Sequence, residues 1–175
     1  MRVVIPYAGS RGKTRLELGS GEREKLSLAM LASVLSVAVE IGRTWVVSPN
    51  EPPRSEATWI PDPGGGQGAA VAAALREIGP GPVLVVNADL PSLVPDDLLA
   101  LDAATPEPGI VIAAAADGTT NALGLSDTTL FAPLYGRESA ARFRAHAERC
   151  GVTAVDIARP GLQNDVDTLA DLVNA

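Results

Sequence analysis

The apolar run Val83–Val86 is the feature that most constrains how this chain of 175 residues can fold. Four consecutive apolar residues are typical of a strand that is buried on both faces. Asp89 follows closely, and Pro91 ends any extended segment. The sequence therefore predicts a carboxylate at the carboxyl end of a central strand, which is the edge where open α/β sheets bind their ligands.

Strand-like and helix-like segments alternate along the chain, which favours an α/β fold with helices on both faces of a largely parallel sheet. Residues 121–131 alternate only weakly and are interpreted as a hairpin, so the sheet is expected to be mixed. One domain is expected to span residues 1–175. Strands are expected at residues 2–7, 44–48, 57–60, 83–86, 109–115 and 152–157, and helices at 20–41, 69–78, from 95, 139–150 and 168–173.

The composition argues against several classes of protein and of site. The formal net charge of −7 disfavours a general nucleic-acid-binding surface. His146 and Cys150 are the only residues of their types, which disfavours histidine-based triads, internal disulfides and the common zinc sites. The sequence has no apolar run of the ~20 residues that a membrane helix needs and no evident signal peptide, so we expect a cytoplasmic protein.

A basic loop is expected after the first strand. Lys13, Thr14 and Arg15 follow Gly12 there, and Lys13 is one of only two lysines in the chain. Part of a phosphate-binding P-loop is present, but Tyr7 stands where that pattern has its first glycine. We expect the cations to bind a triphosphate or a leaving pyrophosphate. A solvated basic loop is the alternative interpretation.

A second loop contains three consecutive glycines at residues 64–66, followed by Gln67 and Gly68. Glycines allow a ligand to approach the backbone closely. The Gln67 amide has both a donor and an acceptor with which to read the edge of a base. A flexible turn before a helix is the alternative.

Three aspartates are candidate ligands of a divalent metal. Asp89 ends its strand, and Asp165 and Asp167 are spaced so that an extended segment would point both carboxylates to one side. Carboxylates in such positions often hold a metal ion over a nucleotide phosphate. The alternatives are a helix cap or turn at Asp89 and a helix cap at Asp167.

Two further segments offer groups for a small phosphorylated acid. Residues 117–121 place Thr120 and an amide in a glycine loop after an apolar strand, and Gly136 and Ser139 lie at the expected start of a helix. A helix start can hold an anion. An ordinary turn and an N-cap serine are the alternatives.

Five motifs in order resemble the CofC/FbiD family, the 2-phospho-L-lactate or phosphoenolpyruvate guanylyltransferases of coenzyme F-420 biosynthesis. The resemblance covers essentially the whole chain. The motifs are Lys13-Thr14-Arg15-Leu16, Asn87-Ala88-Asp89-Leu90-Pro91, Gly118-Thr119-Thr120-Asn121-Ala122-Leu123, Tyr135-Gly136 with Ser139, and Asp165-Val166-Asp167-Thr168.

The resemblance implies a three-layer, Rossmann-like nucleotidyltransferase fold of the GT-A/MobA-like type. It also implies an enzyme that transfers GMP from GTP to a phosphorylated three-carbon acid, with Mg²⁺ as cofactor. The oligomeric state stays open, a homodimer included. The roles implied are catalysis by Lys13, Arg15 and Asp89; nucleotide binding by Lys13, Thr14, Arg15, Gly66, Gln67, Gly68 and Asn87; substrate binding by Thr120, Gly136 and Ser139; and magnesium binding by Asp89, Asp165 and Asp167.

Three other functions stay open on the sequence. The first is a nucleotidyltransferase for the molybdenum cofactor or for a sugar phosphate, although the chain lacks their usual loop after the first strand. A non-catalytic nucleotide-binding module and a P-loop NTPase are the other two readings.

Overall fold

A mixed sheet forms the centre of the molecule. The computed structural model describes residues 1–9, 19–53 and 56–166, and within these ranges the sheet has seven strands in the order β3-β2-β1-β4-β6-β5-β7. The strands are β1 (Arg2–Pro6), β2 (Arg43–Ser48), β3 (Thr58–Pro61), β4 (Val83–Val86), β5 (Gly109–Ala114), β6 (Thr120–Leu125) and β7 (Thr153–Asp156).

Strand β6 runs against its neighbours, whereas the other pairings are parallel. It pairs antiparallel with both β4 and β5, so the expected mixed sheet is confirmed. The hairpin expected within residues 121–131 is wrong: one strand is followed by a 3-10 helix at Thr128–Leu130. Leu130 and Phe131 pack against the core from this irregular segment, which accounts for the weak apolar alternation.

Helices cover both faces of the sheet, which confirms the three-layer α/β/α architecture. Helices α1, α3 and α5 contribute to one hydrophobic cluster, and α2 and α4 contribute to a second cluster on the opposite face. The helices are α1 (Ser20–Ile41), α2 (Gln67–Ile78), α3 (Pro95–Ala104), α4 (Ser139–Arg149) and α5 (Pro160–Gln163).

The short helix α5 was not expected from the sequence. Pro160 occupies its first turn, where the missing N–H costs nothing, and four residues are too few to show a helical period. The helix expected at residues 168–173 lies outside the described residues. That one domain spans residues 1–175 stays a prediction. In the described part of the chain, no helix combines the length and apolar character needed to cross a bilayer.

An ion pair between a buried carboxylate and a part-exposed arginine fixes the segment that contains α5 to the start of α3. Arg159 Nε lies 3.0 Å from Asp97 Oδ1, and the Asp97 side chain is only 4% exposed. The other carboxylate oxygen accepts the Val94 N–H at 3.2 Å. Gly161 passes so close to Asp97 that a Cβ there would overlap this carboxylate. The position of the segment that contains α5 therefore depends on its contacts with the buried Asp97 carboxylate.

We expect Arg159→Met to reduce the free energy of unfolding by about 2 kcal/mol, because it leaves the Asp97 carboxylate buried without its cation. The measurement is urea unfolding followed by circular dichroism.

The matched control is Arg144→Met. Arg144 forms a bidentate ion pair with Asp156, whose side chain is 55% exposed. Exposed pairs contribute less than about 1 kcal/mol. Equal losses in the two variants would contradict a special role for the buried pair.

Candidate active site

A cleft opens where the strand order reverses. The chain passes from β1 outward to β2 and β3 and then returns to the other side of β1 as β4. Loops diverge at such a point, and α/β sheets bind ligands there. The cleft has a volume of about 210 Å³, and its lining includes the last residue of β1 with residues 7–9 after it, and residues 87–89 after β4. Asp89 therefore lies at the ligand-binding edge, as expected.

The glycine loop forms another wall of this cleft. Gly64, Gly65 and Gly66 all have positive φ angles, between 78° and 87°, which other residues rarely adopt. Asp62 Oδ1 accepts the Gly64 N–H at 2.9 Å and holds the turn. The loop delivers Gln67 into the cleft as the first residue of α2.

Asp62 also lines the cleft and was missed by the sequence analysis. One of its carboxylate oxygens holds the glycine loop. The sequence signal was an aspartate directly before Pro63 and the glycines, which reads only as a turn.

A chain of hydrogen bonds crosses the cleft floor from Gln67 to β6. Gln67 Nε2 donates to Asn87 Oδ1 at 2.6 Å, and Asn87 Nδ2 donates to the Thr120 carbonyl at 3.2 Å. A carbonyl oxygen can only accept, so the Asn87 amide must point its nitrogen at Thr120 and its oxygen at Gln67. Gln67 must then donate to Asn87, which leaves the Gln67 oxygen for other partners.

The segment that carries Asp165 is bound directly to the segment that carries Asp89. The Val166 N–H donates to the Asp89 carbonyl at 3.1 Å. Asn121 Nδ2 donates to Asp165 Oδ1 at 3.2 Å. The structure thus joins, through the backbone, the chain segments that carry two of the three aspartates predicted to bind metal. Asp167 lies outside the described residues.

The described residues form no group of three or more histidine, cysteine, aspartate or glutamate side chains that could hold a metal ion. Asp89 and Asp165 contribute oxygen donors of the kind that Mg²⁺ prefers. The magnesium site stays a prediction, and Asp89 and Asp165 are the two of its three members that lie within the described residues.

The three residues predicted to bind the acid also converge, but two of them are buried. The hydroxyl oxygens of Thr120 and Ser139 lie 2.9 Å apart. The two residues are 2% and 0% exposed, respectively. Gly136 lies in the loop before α4 with a φ of 103°. Arg142 Nη2 donates to the carbonyls on either side of Gly136, at residues 135 and 137. This loop therefore surrounds a guanidinium group.

The remaining predicted nucleotide ligands fall into two groups. Gly68 packs on Pro133, and a Cβ added there would lie 2.6 Å from the Pro133 Cβ, so glycine at this position serves close packing. Lys13, Thr14 and Arg15 lie outside the described residues.

Tyr7 contributes an aromatic ring to the cleft, although the sequence predicted it as the last residue of the first strand. It follows β1 and lines the cleft. Burial raises the pKa of the Tyr7 phenol above its ordinary value, and a hydrogen bond with Ser27 offsets part of that rise. The phenol is therefore neutral at physiological pH.

Comparison with known proteins decides the family. The model of the MobA-like NTP transferase domain matches residues 9–155. The chain belongs to the MobA-like NTP transferase family. The fold class expected from the resemblance and its nucleotidyltransferase character are thereby confirmed.

Relatives within this family are named for guanylyl transfer. The phosphoenolpyruvate guanylyltransferase of Sphaerobacter thermophilus is 35% identical, over 97% of this chain and 89% of its own. The 2-phospho-L-lactate guanylyltransferase of Natrialba magadii is 32% identical, over 99% of this chain and 82% of its own. These matches confirm the resemblance drawn from the five motifs.

Two solved structures share the fold of this chain. A candidate nucleotide-diphospho-sugar transferase from Desulfovibrio desulfuricans has a TM-score of 0.79 at 15% identity, covering 98% of this chain and 84% of its own. The 2-C-methyl-D-erythritol 4-phosphate cytidylyltransferase of Thermus thermophilus has a TM-score of 0.68 at 19% identity, covering 99% and 95%.

The buried hydroxyl pair of this family member can be tested by a double-mutant cycle. Ser139→Ala leaves the Thr120 hydroxyl buried without its partner, and we expect a loss of about 1–2 kcal/mol in the free energy of unfolding. Thr120→Val combined with Ser139→Ala removes both polar groups, so most of the loss should be recovered.

Urea unfolding of both single variants and of the double variant makes the comparison. If the loss in free energy of unfolding of the double variant equals the sum of the two single losses, the two hydroxyls are not each other's main partners.

Proposed function

We propose that this protein is a guanylyltransferase that joins GMP from GTP to a phosphorylated three-carbon acid and releases pyrophosphate, in coenzyme F-420 biosynthesis. The candidate acids are phosphoenolpyruvate, 2-phospho-L-lactate and 3-phosphoglycerate. The names of the relatives support this choice over a molybdenum-cofactor or sugar-phosphate enzyme. The observation that carries it is the Val166–Asp89 hydrogen bond, which joins two aspartate segments beside the cleft at the strand-order reversal. A homodimer stays a prediction.

The proposed reaction needs no general base. An oxygen of the acid's phosphate is already anionic and attacks the α-phosphorus of GTP. The bond from that phosphorus to the oxygen bridging the α- and β-phosphates breaks, and pyrophosphate leaves. Catalysis then depends on in-line positioning and on neutralising charge. A chain with His146 and Cys150 as its single residues of those types suits this chemistry.

Asp89 and Asp165, with Asp167, would hold magnesium in this proposal. Their carboxylate oxygens are hard ligands that suit this ion. Bound magnesium would supply positive charge to the phosphates. Lys13 and Arg15 would add positive charge on the triphosphate. Gly136 would contribute to the acid site directly, whereas the buried Thr120 and Ser139 would support that site through their mutual hydrogen bond.

The acceptors in the cleft suit a guanine base. Guanine presents neighbouring N1–H and N2–H donors, which a carboxylate or an amide oxygen accepts. Asp62 lines the cleft, and the hydrogen-bond chain leaves the Gln67 oxygen for such a donor. We assign Asp62 and Gln67 to base recognition.

Pyrophosphate release from GTP, magnesium and each of the three acids tests the function. We expect release with at least one acid, and we expect Asp89→Asn to lower kcat/KM by about 100-fold or more, because a carboxylate at the phosphates is lost.

Asp102→Asn is the matched control, since Asp102 lies exposed on α3. It should keep the parent activity, and Asp89→Asn should keep a melting temperature near that of the parent. The function would be refuted if the parent enzyme released no pyrophosphate with any of the three acids.

Asp62→Asn should narrow the preference for GTP over ITP, whose base lacks the N2 amino group. We expect kcat/KM for GTP to fall about 10-fold or more and kcat/KM for ITP to fall less, because a charged acceptor for two donors is lost.

The control is Asp127→Asn, because Asp127 holds a similar turn by accepting the Thr129 N–H at 2.9 Å. Its nucleotide preference should match the parent. An unchanged GTP-to-ITP ratio in Asp62→Asn would remove Asp62 from base recognition.

A further inference from the structure

Asn121 connects the two aspartate segments of the candidate site. It lies on β6 and is 1% exposed. Its side-chain Nδ2 donates to Asp165 Oδ1 at 3.2 Å and to the Gln163 carbonyl at 3.3 Å. Its backbone carbonyl accepts the Asn87 N–H at 2.9 Å. One residue therefore contacts both the segment after α5 and the extension of β4.

These contacts close a ring of bonds. From Asn121 the ring passes to Asn87 through a backbone hydrogen bond and along the chain to Asp89. The Asp89 carbonyl accepts the Val166 N–H, and Asp165 returns the ring to the Asn121 amide. A closed ring restricts how far the two aspartates can move apart.

Burying the Asn121 side-chain amide costs free energy, which indicates that its N–H donors serve a specific role. Within the described residues, Asn121 Oδ1 is buried and has no hydrogen-bond partner. A buried amide oxygen without a partner costs free energy. An apolar residue on β6 would avoid that cost but could not donate to the Asp165 carboxylate.

We propose that Asn121 is a positioning residue, which holds the Asp165 carboxylate in a fixed place relative to Asp89. This inference rests on the proposed function insofar as the two aspartates bind a divalent cation. Residues that orient metal ligands typically change metal affinity by 10–100-fold when they are replaced. Asn121 acts through Asp165 and touches neither the cation nor the substrates.

Manganese binding tests the proposal without turnover. The probe is Mn²⁺ alone, added to the full chain and followed by the loss of the free-ion signal in electron paramagnetic resonance. We expect Asn121→Ser to weaken Mn²⁺ binding by about 10-fold or more. Asn121→Asp, which preserves the shape but replaces the donor with a carboxylate, should weaken it as well. Melting temperatures identify which variants are folded.

A double-mutant cycle with Asp165→Asn separates positioning from general stability. If Asn121 acts through Asp165, Asn121→Ser combined with Asp165→Asn should bind Mn²⁺ no more weakly than Asp165→Asn alone. Gln163→Ala is the control, because the exposed Gln163 contributes only its backbone carbonyl and should keep the parent affinity.

Three results would overturn the proposal: parent-like Mn²⁺ affinity in a folded Asn121 variant, parent-like affinity in Asp165→Asn, or additive losses in the double variant. Because neither GTP nor an acid is present, a protein that failed the pyrophosphate assay would still give a decisive answer here.

Discussion

The antiparallel pairing of β6 with β4 is the constraint on which the rest of the candidate site depends. Val86 at the end of β4 lies opposite Ala122 near the start of β6. The Asn87 N–H extends this ladder to the Asn121 carbonyl. Because β6 is reversed, its first residues meet the carboxyl end of β4, and Thr120 joins the ligand-binding edge from a distant part of the chain.

The C-terminal segment reaches the same edge through anchors that are spread over its length. Arg159 pairs with buried Asp97, the Gln163 carbonyl accepts from Asn121, and the Val166 N–H binds Asp89. In its described part, up to Val166, this segment contains one short helix and has little other regular structure. Its position therefore depends on these contacts with the sheet and with α3.

Local signals in the sequence predict much of this arrangement. A buried strand followed by Asp89 and Pro91 predicts a carboxylate at the carboxyl end of that strand. Three consecutive glycines predict the turn at residues 64–66. The contacts of Asn121 and of the Thr120–Ser139 pair join residues that are far apart in the chain. The spacing of apolar residues within one segment cannot predict such contacts. The hairpin prediction failed for a different reason: Leu130 and Phe131 pack on the core from an irregular segment, and such a segment can show weak apolar alternation without forming a strand.

The hydrogen-bond chain on the cleft floor fixes the orientation of the Gln67 amide, which the proposed function assigns to base recognition. The Thr120 carbonyl orients Asn87, and Asn87 in turn orients Gln67. Among the described residues that line the cleft, Gln67 and Asp62 each present an acceptor oxygen. An edge with adjacent N–H donors complements two acceptors, and guanine has such an edge, whereas adenine has a single amino group beside acceptor nitrogens. In the proposed function, the Thr120 carbonyl on β6 would thus favour guanine through the two side-chain amides that it orients.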